Sequence, residues 1–272
     1  MSVLKNTKPL TIILPCAGEG TRLGLPYPKE LYEIAKDFRL IDFSLTHIKK
    51  YIDKANNTNN KNIKVVVVIN EKKREVYEYI ALSLKSRGIE SIPVNFNDNY
   101  FEWAGSVFSA NRYFTEKNIV LLPDSVITLS NDSPFYSKDK TLIGLCDNYL
   151  QNNSVVFGTI FCDDKAKLKK LGACFVKDGR ILKFQDKPQR NLQNFNAFWG
   201  CYAFKQDISK KLYTFLKNSI LKRFRGYQKE HLLPFYSFDI ANYWDLGTWD
   251  SINDFKTKGS LVLDKFLRCH QP

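Results

Sequence analysis

Apolar runs and amphipathic stretches alternate along this chain, and that alternation is its first structural statement. Residues 10–14 form an apolar run interrupted only by Thr11. Ile63–Ile69 contains Val65-Val66-Val67-Val68, the texture of a strand covered on both faces. Residues 118–122 and 154–161 read the same way, and the spacing over 71–86 predicts a helix between the first two of these strands. A helix starting near Asp42 sets Ile41, Leu45, Ile48 and Ile52 on one stripe. Asp42 suits its positive end, and Lys49, Lys50 and Lys54 suit its negative end. The pattern predicts an α/β protein, with a Rossmann-like mixed, mostly parallel sheet flanked by helices. After residue 163 the texture changes. Two apolar segments, 173–176 and 180–184, flank Lys177-Asp178-Gly179 and predict a β-hairpin, since an Asp-Gly pair tolerates the positive φ angles of a tight turn. Residues 56–62 form a polar loop, and 258–272 form a short amphipathic tail. No repeat or flexible linker separates the halves, so one domain over 1–272 is expected, divided at about residue 150.

Composition narrows the function classes. A 272-residue chain that is 44% hydrophobic and 14% aromatic builds a core and is not disordered. No apolar stretch approaches the roughly 20 residues needed to cross a bilayer. Met1-Ser2-Val3-Leu4-Lys5-Asn6 opens no signal-peptide pattern. Six cysteines are scattered without a Cys-x-x-Cys pair, which fits reduced thiols better than zinc or disulfides. A cytoplasmic protein with no membrane partner is expected, and a homo-oligomer stays open. The net charge of +13 fits solvated helix faces, anionic substrates or nucleic acid. Lys205, Lys210, Lys211 and Lys217 fall on an apparent helix face, and no nucleic-acid-binding module is legible, so no nucleic-acid partner is expected.

The densest chemistry follows the first apolar run: Ala17-Gly18-Glu19-Gly20-Thr21-Arg22-Leu23, then Pro28-Lys29-Glu30-Leu31. Glycines without a Cβ let backbone N–H groups close on a phosphate chain, and Arg22 and Lys29 add fixed positive charge beside it. A polyanion, most simply a nucleoside triphosphate, fits such a loop. A P-loop would need Gly-Lys-Ser/Thr, which is absent. A dinucleotide fingerprint would need a glycine or alanine where Leu23 stands.

Gly18-x-Gly20-Thr21-Arg22-Leu23 with Pro28-Lys29-Glu30-Leu31 resembles the signature of the sugar-1-phosphate nucleotidylyltransferases. The loop is shorter than the usual family form. Arg39-Leu40-Ile41-Asp42-Phe43-Ser44-Leu45 resembles the adenylyltransferase members, whereas Pro28-Lys29-Glu30-Leu31 resembles the uridylyl- and thymidylyltransferases, so the base stays open. The resemblance implies a nucleotide-binding half over about 10–150 and a sugar-phosphate-binding half over about 151–257. It further implies that Ala17, Gly18, Glu19, Gly20 and Thr21 line the nucleotide and that Arg22 and Lys29 are catalytic.

The same resemblance extends down the chain. Asp124, after residues 120–123, matches a metal-holding Asp at a strand end, although Pro123 replaces the family glycine. Asp245 in Trp244-Asp245-Leu246-Gly247-Thr248 matches the second metal-holding Asp, so Mg²⁺ is the implied cofactor. On pattern alone, Asp124 could equally cap a turn and Asp245 could cap a helix starting near Thr248. Asp186-Lys187-Pro188 matches a Glu-Lys-Pro stretch in which Lys187 would hold the sugar phosphate. Gly172 and Gly200 match glycines of the sugar-binding half, and Phe198 and Trp199 depart from the usual residues. Gly105 stands where relatives carry a glycine before a helix that contacts the nucleotide, and Trp103 is a stacking or packing ring. The implied reaction joins a nucleoside triphosphate and a sugar 1-phosphate. Transfer to a phospho-alcohol or phosphonate is the nearest alternative, and a basic nucleic-acid-binding protein is the most distant.

Overall fold

The computed structural model describes residues 9–56, 63–129, 141–221 and 234–270, so most of the polar loop expected at 56–62 lies outside the described residues. In chain order the elements are β1 (Leu10–Pro15), β2 (Glu33–Ala35), β3 (Phe38–Arg39), α1 (Leu40–Asn56), β4 (Ile63–Ile69), α2 (Arg74–Lys85), β5 (Glu90–Asn95) and α3 (Glu102–Ser109). Then come β6 (Lys117–Val120), β7 (Ser125–Thr128), α4 (Leu142–Asn152), β8 (Val155–Phe161), the single turn α5 (Lys165–Leu168), β9 (Gly172–Lys177) and β10 (Arg180–Asp186). The chain continues with β11 (Ala197–Lys205), α6 (Ser209–Ile220), β12 (Phe235–Asp239), β13 (Asn242–Asp245), α7 (Trp249–Lys258) and α8 (Ser260–His270).

One mixed sheet organises the molecule, in the order β5-β4-β1-β6-β11-β8-β12-β10-β9. Parallel pairing runs through β5, β4, β1 and β6. That run ends at β6: β11 is antiparallel to both β6 and β8, β12 lies parallel to β8, and β10 is antiparallel to β9 and β12. The parallel character read from the helix–strand alternation is therefore continuous only in the first half, and in the second it is confined to the β8–β12 pair. In the second half a tight turn joins β9 to β10, with Asp178 at φ 50° and Gly179 at φ 68°. Two successive positive φ angles match the right-handed twist of the flanking strands, and the Asp-Gly pair supplies them.

Both sheet faces are covered, which explains the unbroken valine run. Val65 and Val67 of β4 pack with Ile41, Leu45, Ile48 and Ile52 of α1 on one face. Val66 and Val68 pack with Ala104 and Val107 of α3 on the other. A third cluster lies off the sheet, where Phe43 of α1 meets Phe255 of α7 and Phe266 of α8 edge-on, at 5.5 and 5.0 Å between ring centroids. The tail is therefore a helix seated on α1.

Candidate active site

The glycine loop leaves β1 where Cys16 N–H donates to the Val68 carbonyl at 2.8 Å, anchoring it between β1 and β4. Cys16 is fully buried, and burial followed by the nearby Glu30 carboxylate pushes its thiol well above the ordinary range, so it is an inert filler. Beyond it, Gly20 at φ 72° and Gly24 at φ 60° frame a short 3-10 turn, Thr21–Leu23. Gly20 has a second reason to lack a side chain. A Cβ there would stand 3.3 Å from Lys29 Cγ, so the Lys29 stem lies directly against the loop.

Lys29 forms an ion pair with Asp124, which follows β6 beyond Leu121, Leu122 and Pro123 at the carboxyl end of the parallel strands. Both side chains are largely covered, at 12% and 15% exposure. Burial alone would raise the Asp124 carboxyl, but the charge and hydrogen bond of Lys29 outweigh it and hold it below the usual carboxylate range. Burial would likewise depress the Lys29 ammonium, and Asp124 reverses that and holds it raised.

Asp245 reaches the same place from the other end of the chain. β13 pairs antiparallel with β7, placing Asp245 opposite Ser125, and Leu246 N–H donates to the Asp124 carbonyl at 2.9 Å. The helix cap that Asp245 might have provided is supplied by Thr248, whose hydroxyl accepts from Ser251 N–H in a capping box. Asp245 instead accepts the Gly247 N–H at 3.0 Å. A Cβ on Gly247 would stand 2.6 Å from Arg22 Nη2 and 2.9 Å from Asp245 Oδ1, so glycine is what lets the guanidinium approach. Burial, then the Asp124 charge, raises the Asp245 carboxyl, and Arg22 offsets only part of this. Two cations and two carboxylates thus converge from opposite ends of the chain.

A cavity of about 370 Å³ adjoins them, with Ala17, Gly18, Glu19, Lys29 and Asp124 in its wall beside Trp103 and Ser106 of α3. Gly20 and Thr21 lie behind this wall in the loop. Gly105 does not face the cavity. A Cβ on it would meet the Tyr100 carbonyl carbon at 2.6 Å, so that glycine serves the packing of α3 against the preceding turn, and the residues aimed at the cavity are its neighbours.

Gly172, Asp186 and Lys187 form a second group. Asp186 pairs with Gly172 across β9 and β10, and Lys187 N–H donates to the Leu171 carbonyl at 3.0 Å. Lys187 sits at φ 44°, its side chain is 53% exposed, and its Nζ lies 4.0 Å from Asp186 Oδ2. The indole of Trp199 lies over Gly172 where any Cβ would overlap it. Gly200 packs on Tyr243, to whose hydroxyl Ser125 Oγ donates at 3.0 Å, which ties the second group to the first. Sequence reading missed the buried Glu30–Lys73 pair, with both carboxylate oxygens 2.8 Å from the ammonium. Its only trace was the position of Glu30 directly after Lys29.

A family model described as nucleotidyl transferase matches residues 10–259. The chain belongs to the nucleotidyl transferase family. As a nucleotidyltransferase it also shares its fold with solved structures. A putative glucose-1-phosphate thymidylyltransferase from Bacillus anthracis superposes with a TM-score of 0.65 at 15% identity, covering 91% of this chain and 94% of that one. An inositol-1-phosphate CTP transferase from T. maritima gives 0.65 at 18% identity, over 97% of both chains. A UDP-glucose pyrophosphorylase complexed with UDP-glucose gives 0.62 at 18% identity, over 93% and 100%. A search of curated proteins finds no match. Among the described residues no helix is long and apolar enough to cross a membrane.

Proposed function

We propose that this nucleotidyltransferase joins a nucleoside triphosphate to a sugar 1-phosphate, releasing pyrophosphate. The supporting observation is the convergence of Arg22, Lys29, Asp124 and Asp245 beside a cavity walled by the glycine loop. Two anions must meet, so cancelling their repulsion is the main task. A pair of opposite unit charges about 4 Å apart attracts by roughly 4 kcal/mol at an effective dielectric of 20. An acceptor phosphate oxygen is already ionised and attacks the α-phosphorus in line, so no general base is required. Lys29 has three N–H donors, enough to keep Asp124 and reach a phosphate oxygen together. Arg22, held over Gly247, presents its fork to the phosphate chain. Lys187 stands out from the hairpin to take the acceptor phosphate.

The carboxylates fit a hard divalent cation. Both offer oxygen ligands, and burial, then the Asp124 charge, disfavours the ionised Asp245 carboxyl, which a nearby cation would favour. Among the described residues no group of three or more His, Cys, Asp or Glu is arranged to hold a metal, so substrate oxygens and water would complete the shell, as is usual for Mg²⁺. When bound, Mg²⁺ would supply charge neutralisation at the reacting phosphate. The test is a pyrophosphate-release assay of five nucleoside triphosphates against a panel of sugar 1-phosphates, with and without Mg²⁺. Release that requires both substrates supports the reading, and its absence across the panel ends it.

A second acceptor class has one observation in its favour. Trp199 occupies the space over Gly172, which narrows that side for a pyranose ring. Phospho-alcohols and phosphonates therefore belong in the same panel.

A further inference from the structure

The cavity beside Lys29 and Asp124 has more carboxylate in its wall than a triphosphate site needs. Glu19, Glu30, Glu102 and Asp124 line it; Asp124 is paired with Lys29 and Glu30 with the buried Lys73, which leaves Glu19 and Glu102 as the acidic remainder. Phosphates belong with Arg22 and Lys29, so the acidic remainder faces another part of the nucleotide. Two features of α3 show that this wall is built for a ligand. Ser106 is 6% exposed, lines the cavity, and its buried hydroxyl has no hydrogen-bond partner among the described residues. An unmet hydroxyl in a wall is costly unless something else satisfies it. Glu102, the first residue of the helix, sits at φ 46°, a backbone state that glycine adopts freely and glutamate does not. Trp103 between them half-faces the cavity and rests on Trp199 at 5.0 Å.

We infer, on the basis of the nucleotidyl-transfer reading, that Glu102 and Ser106 read the nucleobase and select one bearing an exocyclic amino group (cytosine, adenine or guanine) over uracil or thymine. A carboxylate accepts the N–H donors of an amino base, and it repels the carbonyl oxygens that flank the single N–H of uracil or thymine. Polar groups built to meet a partner reject the analogue that lacks it more strongly than an apolar pocket does. The strained backbone at Glu102 then has an account: the position holds a carboxylate where a glycine would be more comfortable.

The experiment measures thermal protection of the full chain by CTP, ATP, GTP, UTP and dTTP with Mg²⁺, alongside pyrophosphate release with the acceptor panel. Expected is a preference of at least about tenfold for one or more amino-bearing triphosphates over UTP and dTTP. Glu102→Gln and Ser106→Ala should each shrink that ratio. Glu102→Gly should also raise Tm, because it relaxes the backbone while removing the reader. Equal or better binding of UTP or dTTP overturns the inference, as does an unchanged ratio in both substituted proteins. Pyrophosphate release that proceeds only with UTP or dTTP sinks base selection and leaves nucleotidyl transfer standing. Selective binding without release under any acceptor sinks the transfer reading and leaves base selection standing.

Discussion

Lys29 and Lys187 are both offered to phosphates, yet they stand in opposite surroundings. Lys29 belongs to the parallel half, is 12% exposed, and is fixed by Asp124 and by its contact with Gly20. Lys187 follows the antiparallel hairpin, is 53% exposed, and has its nearest acid 4.0 Å away. Charge that must act on a transition state gains from being fixed in advance, because no reorganisation is then needed during reaction. Charge that only captures a substrate tolerates motion and loses some affinity through ordering its side chain. In the proposed mechanism the first half performs the chemistry and the second captures the acceptor.

The sharpest way to break this contrast is to remove Lys29. Lys29→Ala should lower kcat by roughly 10³-fold, as loss of one preorganised donor does elsewhere. Lys187→Ala should leave kcat nearly intact and raise the acceptor KM by about tenfold or more, with nucleotide KM unchanged. Equal kcat losses in steady-state pyrophosphate release would erase the distinction.

The carboxylates give a second, smaller contrast. Asp124→Asn leaves Lys29 buried beside a neutral partner and should cost about 3 kcal/mol in urea unfolding. Asp245→Asn should raise Tm while activity falls. The folded chain holds the Asp245 proton more tightly than the unfolded chain, since burial and then Asp124 raise its pKa. Between the ordinary carboxylate pKa and that raised value stability falls as pH increases, and the ionised group weakens the fold above it. A lower Tm for Asp245→Asn would refute this.

The smallest effect on catalysis concerns His47, which matched no motif and acts on stability alone. Burial, then Lys50, lowers its pKa to about 4 from 6.5, and its Nε2 lies 3.1 Å from the Ile127 carbonyl. The unfolded chain therefore takes up a proton between pH 6.5 and about 4 that the fold refuses. Stability present above that window should be lost across it on acidification, by up to about 3 kcal/mol. His47→Gln should flatten this part of the Tm profile.

How much of this was legible depended on the range of each interaction. The valine run, the α1 stripe and the Asp-Gly hairpin are local signals, and each fixed its element closely. Lys29 and Asp124 were legible as candidates because a motif and a strand end mark them. That Asp245 meets Asp124 follows from the β13–β7 pairing, which no periodicity reveals. The reversal at β11 was hidden for the same reason: pattern gives a strand but not its direction. At Gly105 a glycine near a helix start suggests a ligand contact, and only the fold shows that Tyr100 occupies the space where its side chain would be. Ser106 carried no signal at all, since an unmet hydroxyl is visible only in three dimensions.

The Trp249 indole N–H donates to the Leu23 carbonyl at 3.0 Å, across 226 positions of sequence. During synthesis the glycine-rich turn thus leaves the ribosome 226 residues before the ring that pins it. A chain halted before residue 247 could assemble its central strands yet would lack both that tether and the Arg22 seat on Gly247. Product terminated before that point should therefore be unable to hold a nucleotide, and competence for substrate waits until both segments have been made.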